Sequence, residues 1–225
     1  MNILITGTSS GIGKACALKF LNQKHKVWGL DIQKASIEHP DYTHIECDIS
    51  DAQSLPDLPA MEIIINNAGV QSATNEVCLK DISVNLIGSM NVTNKYAFNP
   101  HIKSVLFNSS ASALTGNEFA SYAASKAGLI GFMKNVAIRL ANEFKATSNA
   151  ICFGGVTTEL NEPVMKNPKL WNKIMDVTPL KKWCSVDEAA EWCYFLTVTN
   201  TFCTGQAIEV SGGERNCADL FVWEN

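Results

Sequence analysis

The sequence predicts an α/β domain built on a doubly wound parallel sheet of about seven strands. Three observations lead there. Short runs that are apolar on both faces alternate with helix-length patterns along the whole chain, as expected for strands covered by helices on both sides. No internal repeat and no Gly/Ser- or Pro-rich linker divides the 225 residues, a length that one such domain can occupy. Hydrophobic residues are 46% of the chain and charged residues 18%, enough apolar matter for a large core and no disordered tract. One domain over residues 1–225 follows.

The elements can be justified in order. Ile3-Leu4-Ile5 is a buried strand, followed by a glycine-bearing turn and an amphipathic helix from about Ile12 to Gln23. Strands follow at Lys26–Asp31, near Thr43–Cys47 and at Glu62–Asn66. Asp81–Phe98 has a helical pattern, Ile102–Asn108 is a strand and Ser121–Phe144 is a long helix. Ser148–Phe153 returns to strand, Val186–Val198 is helical behind the start signals Asp187 and Glu188, and Ala207–Val210 is the last strand. In the long helix Ala123, Leu129, Ile130, Phe132, Met133, Val136, Ile138 and Leu140 occupy nearly the whole circumference. A helix apolar all round is covered on more than one side. One side meets the sheet; the other is expected to meet a second copy, in a homo-oligomer (a dimer or tetramer).

Charge and cysteine usage remove several classes. The net charge is −4, from 18 basic and 22 acidic residues, and no basic cluster exceeds a pair such as Lys181-Lys182. Neither a nucleic acid nor a membrane surface is therefore an expected partner. The cysteines Cys16, Cys47, Cys78, Cys152, Cys184, Cys193, Cys203 and Cys217 form no C-x-x-C pair and have no histidine at ligand spacing. They read as buried small hydrophobes in a reducing compartment, with no metal site. Met1-Asn2 runs directly into the first strand without a leader pattern. No apolar run reaches the roughly 18 residues of a membrane span, so the cytoplasm is the expected location. His25, His39, His44 and His101 lie outside every motif and are expected at the surface.

Thr6-Gly7-Thr8-Ser9-Ser10-Gly11-Ile12-Gly13 lies where the first strand becomes the first helix. Gly7 permits the tight turn, Gly11 lets main chain approach a pyrophosphate, and Gly13 lets the helix pack on the strand. The helix N-terminus then offers N–H groups and partial positive charge to the phosphates. Asp31 ends the second strand. A carboxylate there accepts the adenosine ribose hydroxyls and repels a 2′-phosphate. With no arginine beside it, the cofactor expected is NAD(H) rather than NADP(H).

Tyr122 and Lys126 share one face of the long helix as i and i+4. A free tyrosine, with a pKa of about 10, is no base at neutral pH, and a neighbouring ammonium stabilises the phenolate. Alone the pair is common on helix surfaces. It does not stand alone, because T-G-T-S-S-G-I-G (6–13), C-D-I (47–49), N-N-A-G (66–69), V-N-L-I-G (84–88), N-S-S-A-S (108–112), Y-A-A-S-K (122–126), F-G-G-V-T-T (153–158) and T-G-Q-A-I-E-V-S-G-G (204–213) occur in one order. With these motifs the chain closely resembles the classical short-chain dehydrogenase/reductase family over essentially its whole length.

The resemblance implies a Rossmann-type fold and hydride transfer between a nicotinamide and an alcohol or ketone carbon. It implies that Tyr122 is the acid/base, that Lys126 depresses its pKa and holds the nicotinamide ribose, and that Asn85 positions a water for proton relay. Ser110 would hydrogen-bond the reacting oxygen, with Ser109 a competing candidate. Asp48 and Ile49 would border the adenine, Asn67, Ala68 and Gly69 the ribose and nicotinamide, Val156 the carboxamide and Thr158 the diphosphate; Ser9, Ser10 and Ile12 would complete the first turn, and Asn66 would buttress adjacent strands. Phe153 stands where the family has proline. The segments between Asp31 and Asp48 and between Gly69 and Asn85 are short, so a helix on each is truncated or lost. Residues 158–182 are expected either to close over the substrate as a lid or to pack against their own domain or a partner subunit, with Pro163, Pro168 and Pro179 interrupting helix. Two other classes stay open: a catalytically silent NAD(H)-binding sensor or structural protein of the same fold, and a nucleotide-sugar epimerase, which usually needs a second C-terminal domain.

Overall fold

The computed structural model describes residues 1–214; Cys217 lies outside them. Seven strands, β1 (Asn2–Thr6), β2 (Lys26–Asp31), β3 (Tyr42–Glu46), β4 (Ile63–Asn66), β5 (Ser104–Ser110), β6 (Thr147–Phe153) and β7 (Ala207–Val210), form one sheet. All are parallel, in the order β3-β2-β1-β4-β5-β6-β7. Side chains alternate across the strands, so β1 and β4 feed two cores. Leu4 and Ile64 join Val105, Phe107 and the helix residues Val92, Leu129, Met133 and Leu140 on one face. Ile3, Ile5, Ile63 and Ile65 join Cys16, Phe20, Ala189 and Cys193 on the other. Each fully buried Ile, Leu or Phe contributes about 1.5–3 kcal/mol, which is why the central strands β1 and β4 are apolar on both faces.

The helices are α1 (Gly11–Asn22), α2 (Leu79–Asp81), α3 (Ser89–Tyr96), α4 (Ser112–Thr115), α5 (Ala120–Phe144), α6 (Glu162–Met165), α7 (Pro168–Val177) and α8 (Val186–Tyr194). The single helix expected over Asp81–Phe98 is interrupted: a π-helical turn, Ile82–Gly88, separates α2 from α3. A second such turn, Phe195–Thr199, extends α8, which opens with a Ser185/Glu188 capping box. Pro163 and Pro168 begin α6 and α7 instead of interrupting a helix. Proline is welcome in a first turn, where its missing N–H has no partner to lose.

Between β2 and β3 the expected loss of a helix is complete, and residues 32–41 form an irregular loop. Of the histidines, His101 is exposed, but His25, His39 and His44 are half-buried. His44 bridges the Tyr42 hydroxyl at 3.0 Å and the Gln33 carbonyl at 2.8 Å, a tertiary contact invisible to local pattern. Cys16, Cys47, Cys152 and Cys193 are buried, and Cys78, Cys184 and Cys203 are half-buried. Among the described residues no helix is long and apolar enough to cross a membrane, and no cluster of His, Cys, Asp and Glu could hold a metal ion.

Candidate active site

Strand order dictates where a ligand can enter. The chain winds outward in opposite directions from β1 and β4, so a crevice opens at their C-terminal ends. A cleft of about 1090 Å³ lies there. Gly7 and Gly11 adopt φ of +75° and +52°, left-handed values that disfavour a side chain. A Cβ on Gly13 would lie 1.9 Å from the Gly7 carbonyl oxygen, so close packing of α1 on β1 also demands glycine. Ser10, the N-cap of α1, makes no side-chain cap bond. The first-turn N–H groups are thus left to an anionic ligand. Asp31 is fixed by accepting from the Ser9 amide at 2.8 Å and the Gln33 amide at 2.9 Å, and each carboxylate oxygen keeps a lone pair for a hydroxyl.

Gly7, Ser10, Gly11, Ile12, Asp31, Asp48, Ile49, Asn67, Ala68, Gly69, Val156 and Thr158 all line this cleft. Ser9 does not; its hydroxyl donates to the Lys34 carbonyl at 3.0 Å and ties the 32–41 loop to the glycine turn. Thr158 stands over Gly11, whose Cβ would meet its methyl at 3.4 Å. The donor set therefore fits a dinucleotide: open helix N–H groups for phosphates, a carboxylate for a ribose and an apolar Ile49 beside Asp48.

Ser110, Tyr122 and Lys126 face the other end of the same cleft. The first two turns of α5 carry the Tyr/Lys pair across the end of β5. The Lys126 Nζ lies 5.7 Å from the Tyr122 ring centroid and donates to the Asn108 carbonyl at 2.9 Å. The two candidate serines separate by their partners. Ser109 donates to the Lys126 carbonyl at 2.8 Å and serves to anchor α5. Ser110 stands close enough to Tyr122 to pull its phenol down and accepts from the Ser112 hydroxyl at 2.9 Å.

The electrostatics depart from the expectation. Burial pushes the Tyr122 phenol up to about 12, against the pull of Ser110, and the Glu118 and Asp81 carboxylates push the same way. Burial also lowers Lys126 to about 8. Desolvation, which disfavours both charged forms, therefore outweighs any depression of the phenol by the ammonium. The phenol therefore keeps its proton at neutral pH.

Asn85 is held by three hydrogen bonds. Its amide is fully buried and committed: Oδ1 accepts from the Val70 amide at 2.7 Å, and Nδ2 donates to the Val70 carbonyl and the Ser125 hydroxyl, each at 2.9 Å. The side chain clamps the 69–70 loop against α5: both Nδ2 hydrogens are used, and Oδ1 keeps one lone pair. Asn66 donates to Thr93 of α3 at 3.0 Å, bracing a helix and not an adjacent strand. Residues 158–182, with α6 and α7, contribute Leu160, Ile174, Val177 and Thr178 to the cleft wall. The wall also holds Trp183, the last residue of the T-P-L-K-K-W stretch (178–183), packed edge-on against Trp171, and residues with no sequence signal, among them Glu118, in a left-handed conformation at φ +74° and bonded to Gln71 at 3.1 Å, and Glu159, whose carboxylate oxygen would lie 3.8 Å from a Cβ on Gly11.

Comparison with known proteins agrees with this architecture. A family model described as enoyl-(acyl carrier protein) reductase matches residues 7–214. A 3-oxoacyl-(acyl-carrier-protein) reductase of Rickettsia prowazekii (strain Madrid E) is 30% identical, over 93% of this chain and 95% of its own. The chain belongs to the short-chain dehydrogenase/reductase family. Two other short-chain dehydrogenase/reductase relatives have solved structures. A 4-hydroxyisoleucine dehydrogenase complexed with NADH superposes with a TM-score of 0.88 at 26% identity, covering 96% of this chain and 99% of that one. A 3-ketoacyl-(acyl-carrier-protein) reductase from Brucella melitensis complexed with NADH gives 0.82 at 26% identity, covering 95% and 97%. The chain is thus an oxidoreductase by family, and the full Rossmann sheet is shared.

Proposed function

We propose that this protein is an NAD(H)-dependent oxidoreductase that interconverts a secondary alcohol and a ketone, with Tyr122 as its acid/base. The observation that carries the proposal is the convergence of Ser110, Tyr122 and Lys126 in one cleft with the glycine turn and Asp31. When bound, the nicotinamide supplies or accepts the hydride. The residues of this chain orient, exclude water and move the proton. Ser110 donates to the substrate oxygen in an oxyanion-type role. Tyr122, protonated at neutral pH, passes its proton to that oxygen in reduction and recovers it in oxidation. Lys126 would hold the nicotinamide ribose. The substrate end is walled by Leu160, Ile174, Val177 and Trp183, which suits a partly apolar molecule of medium size. Ile138 stands 65% exposed on α5, and we take that face to be covered by a second copy of the chain.

The NAD(H) preference rests on Asp31, whose fixed carboxylate would repel a 2′-phosphate. A kcat/KM for NADH at least tenfold above that for NADPH is expected, about 1.4 kcal/mol; equal or better use of NADPH rejects the preference. A panel of secondary alcohols and ketones tests the reaction class. Dinucleotide binding without turnover on any of them would identify a silent binding protein instead.

Glu159 adds a further expectation. Its carboxylate stands near the phosphate seat at Gly11, where like charges repel. Glu159→Gln is expected to tighten NADH binding by about threefold, in the range of one partly screened charge pair. Titration of NADH fluorescence at low and high salt checks this, since the gain should shrink as salt screens it. Weaker binding by the variant contradicts it.

A further inference from the structure

Beneath the cleft floor runs a chain of hydrogen bonds that the mechanism above does not use. It begins at the glycine turn, where the carbonyls of Thr6 and Gly7 accept from the Asn67 Nδ2 at 3.0 and 3.3 Å. Two carbonyls can be satisfied only by the NH2 side of that amide, so its orientation is forced and Oδ1 faces away from the turn. Asn67 Oδ1 then needs a donor, and Asn108 Nδ2 supplies it at 2.8 Å. That in turn fixes the Asn108 amide, whose Oδ1 accepts the Cys193 thiol at 3.7 Å. The main-chain carbonyl of the same Asn108 accepts the Lys126 ammonium at 2.9 Å. Asn108 is buried, at the end of β5, immediately before the two serines.

We propose that Asn108 is a positioning residue that locks the dinucleotide turn in register with the Lys126 ammonium. Its side chain holds the underside of the glycine turn through Asn67. Its carbonyl holds the lysine. A displacement at either end is transmitted to the other through one rigid strand terminus whose amides have no second orientation available. The proposal rests on reading this cleft as a nicotinamide site, but the linkage itself is a property of the protein.

Two variants separate positioning from folding. Asn108→Val keeps a good strand former and removes the donor, leaving Asn67 Oδ1 unpaired. Asn108→Asp keeps size and shape but sets an acceptor against an acceptor, so Asn67 must turn and release Thr6 and Gly7. NADH affinity is expected to fall about tenfold in Asn108→Val, from the stranded Asn67 acceptor, and further in Asn108→Asp. The second readout is the titration of Lys126, followed by NMR of protein bearing isotope-labelled lysine, without any cofactor. A carbonyl that accepts from the ammonium favours the charged form, so a displaced strand end should lower the Lys126 midpoint in Asn108→Val, the variant that adds no charge; Asn108→Asp, whose carboxylate itself favours the ammonium, is read by NADH affinity alone. Thermal melts identify general destabilisation, which alone would move neither readout in a folded sample. Unchanged NADH affinity together with an unchanged Lys126 midpoint overturns the proposal. If the wild-type protein itself fails to bind NADH, the nicotinamide reading falls, and the lysine titration still decides the role of Asn108: a lowered midpoint supports it and an unmoved one overturns it.

Discussion

Replacing Tyr122 with phenylalanine is expected to reduce kcat by at least ~10²–10⁴, the usual contribution of a positioned proton carrier, while NADH affinity changes less than about twofold. The ring stays beside Lys126, 5.7 Å from its ammonium to the ring centroid, so the packing that shapes the nicotinamide end is retained. What is lost is the hydroxyl beside Ser110. No neighbouring group can substitute for it. Ser110 has a hydroxyl but no base to draw its proton, and Lys126 is turned toward the Asn108 carbonyl. Glu118 and Asp81 act on the phenol through their charges, and Asp81 is itself buried and bonded to Ser72 at 2.8 Å. Steady-state rates with the best substrate of an alcohol and ketone panel, alongside an NADH titration, make the measurement. A variant that keeps a tenth or more of the wild-type kcat would remove Tyr122 from the chemistry. A variant that loses NADH binding as well would show that the hydroxyl builds the site without carrying the proton.

Much of this arrangement was legible in the sequence because the signals are local. A strand apolar on both faces can only be covered on both faces, which is why β2 and β7 were bounded correctly and the other strands to within about two residues. The three glycines were legible because each answers a separate backbone demand: two left-handed turns and one contact that no Cβ could survive. The failures share another cause, since each depended on a partner far along the chain. Ser109 and Ser110 look alike in sequence, and only the docking of α5 onto β5 gives the first to the Lys126 carbonyl and leaves the second to Tyr122. Asn85 sits in a recognisable motif, but its bonds to Val70 and Ser125 could not be read from that motif. The π-helical turn around it, which packs against α5, has no simple sequence rule. The phenol and ammonium looked like a pair tuned by mutual attraction. Burial, a property of the finished fold, moved both in the opposite sense.

That burial has a cost, and removing the charge should recover part of it. Lys126 is 5% exposed and its pKa falls from 10.5 to about 8. At about 1.4 kcal/mol per pKa unit, the folded state is penalised by roughly 3 kcal/mol whenever the lysine is charged. Lys126→Met fills similar volume without that penalty, but it strands the Asn108 carbonyl, at a cost of about 1 kcal/mol. The net expectation is a gain of roughly 2 kcal/mol, or about 4–8 °C in Tm for a domain of this size, with turnover lost. The pH dependence identifies the source. The unfolded chain keeps the lysine proton up to pH ~10.4, whereas the folded chain releases it near 8, so the wild type gains stability as pH rises through that window. The advantage of Lys126→Met should therefore be full below pH 8 and shrink toward pH 10. Melts of both proteins at pH 7 and at pH 9.5 test this directly. A gap of equal size at both values would mean that shape and packing at residue 126, and not a desolvated charge, set the difference. A wild type that is the more stable protein at pH 7 would mean that the Asn108 carbonyl and its surroundings already compensate the ammonium in full. On the proposed chemistry, the stability given up at neutral pH keeps a cation beside Tyr122, and it should reappear in the variant expected to lose turnover.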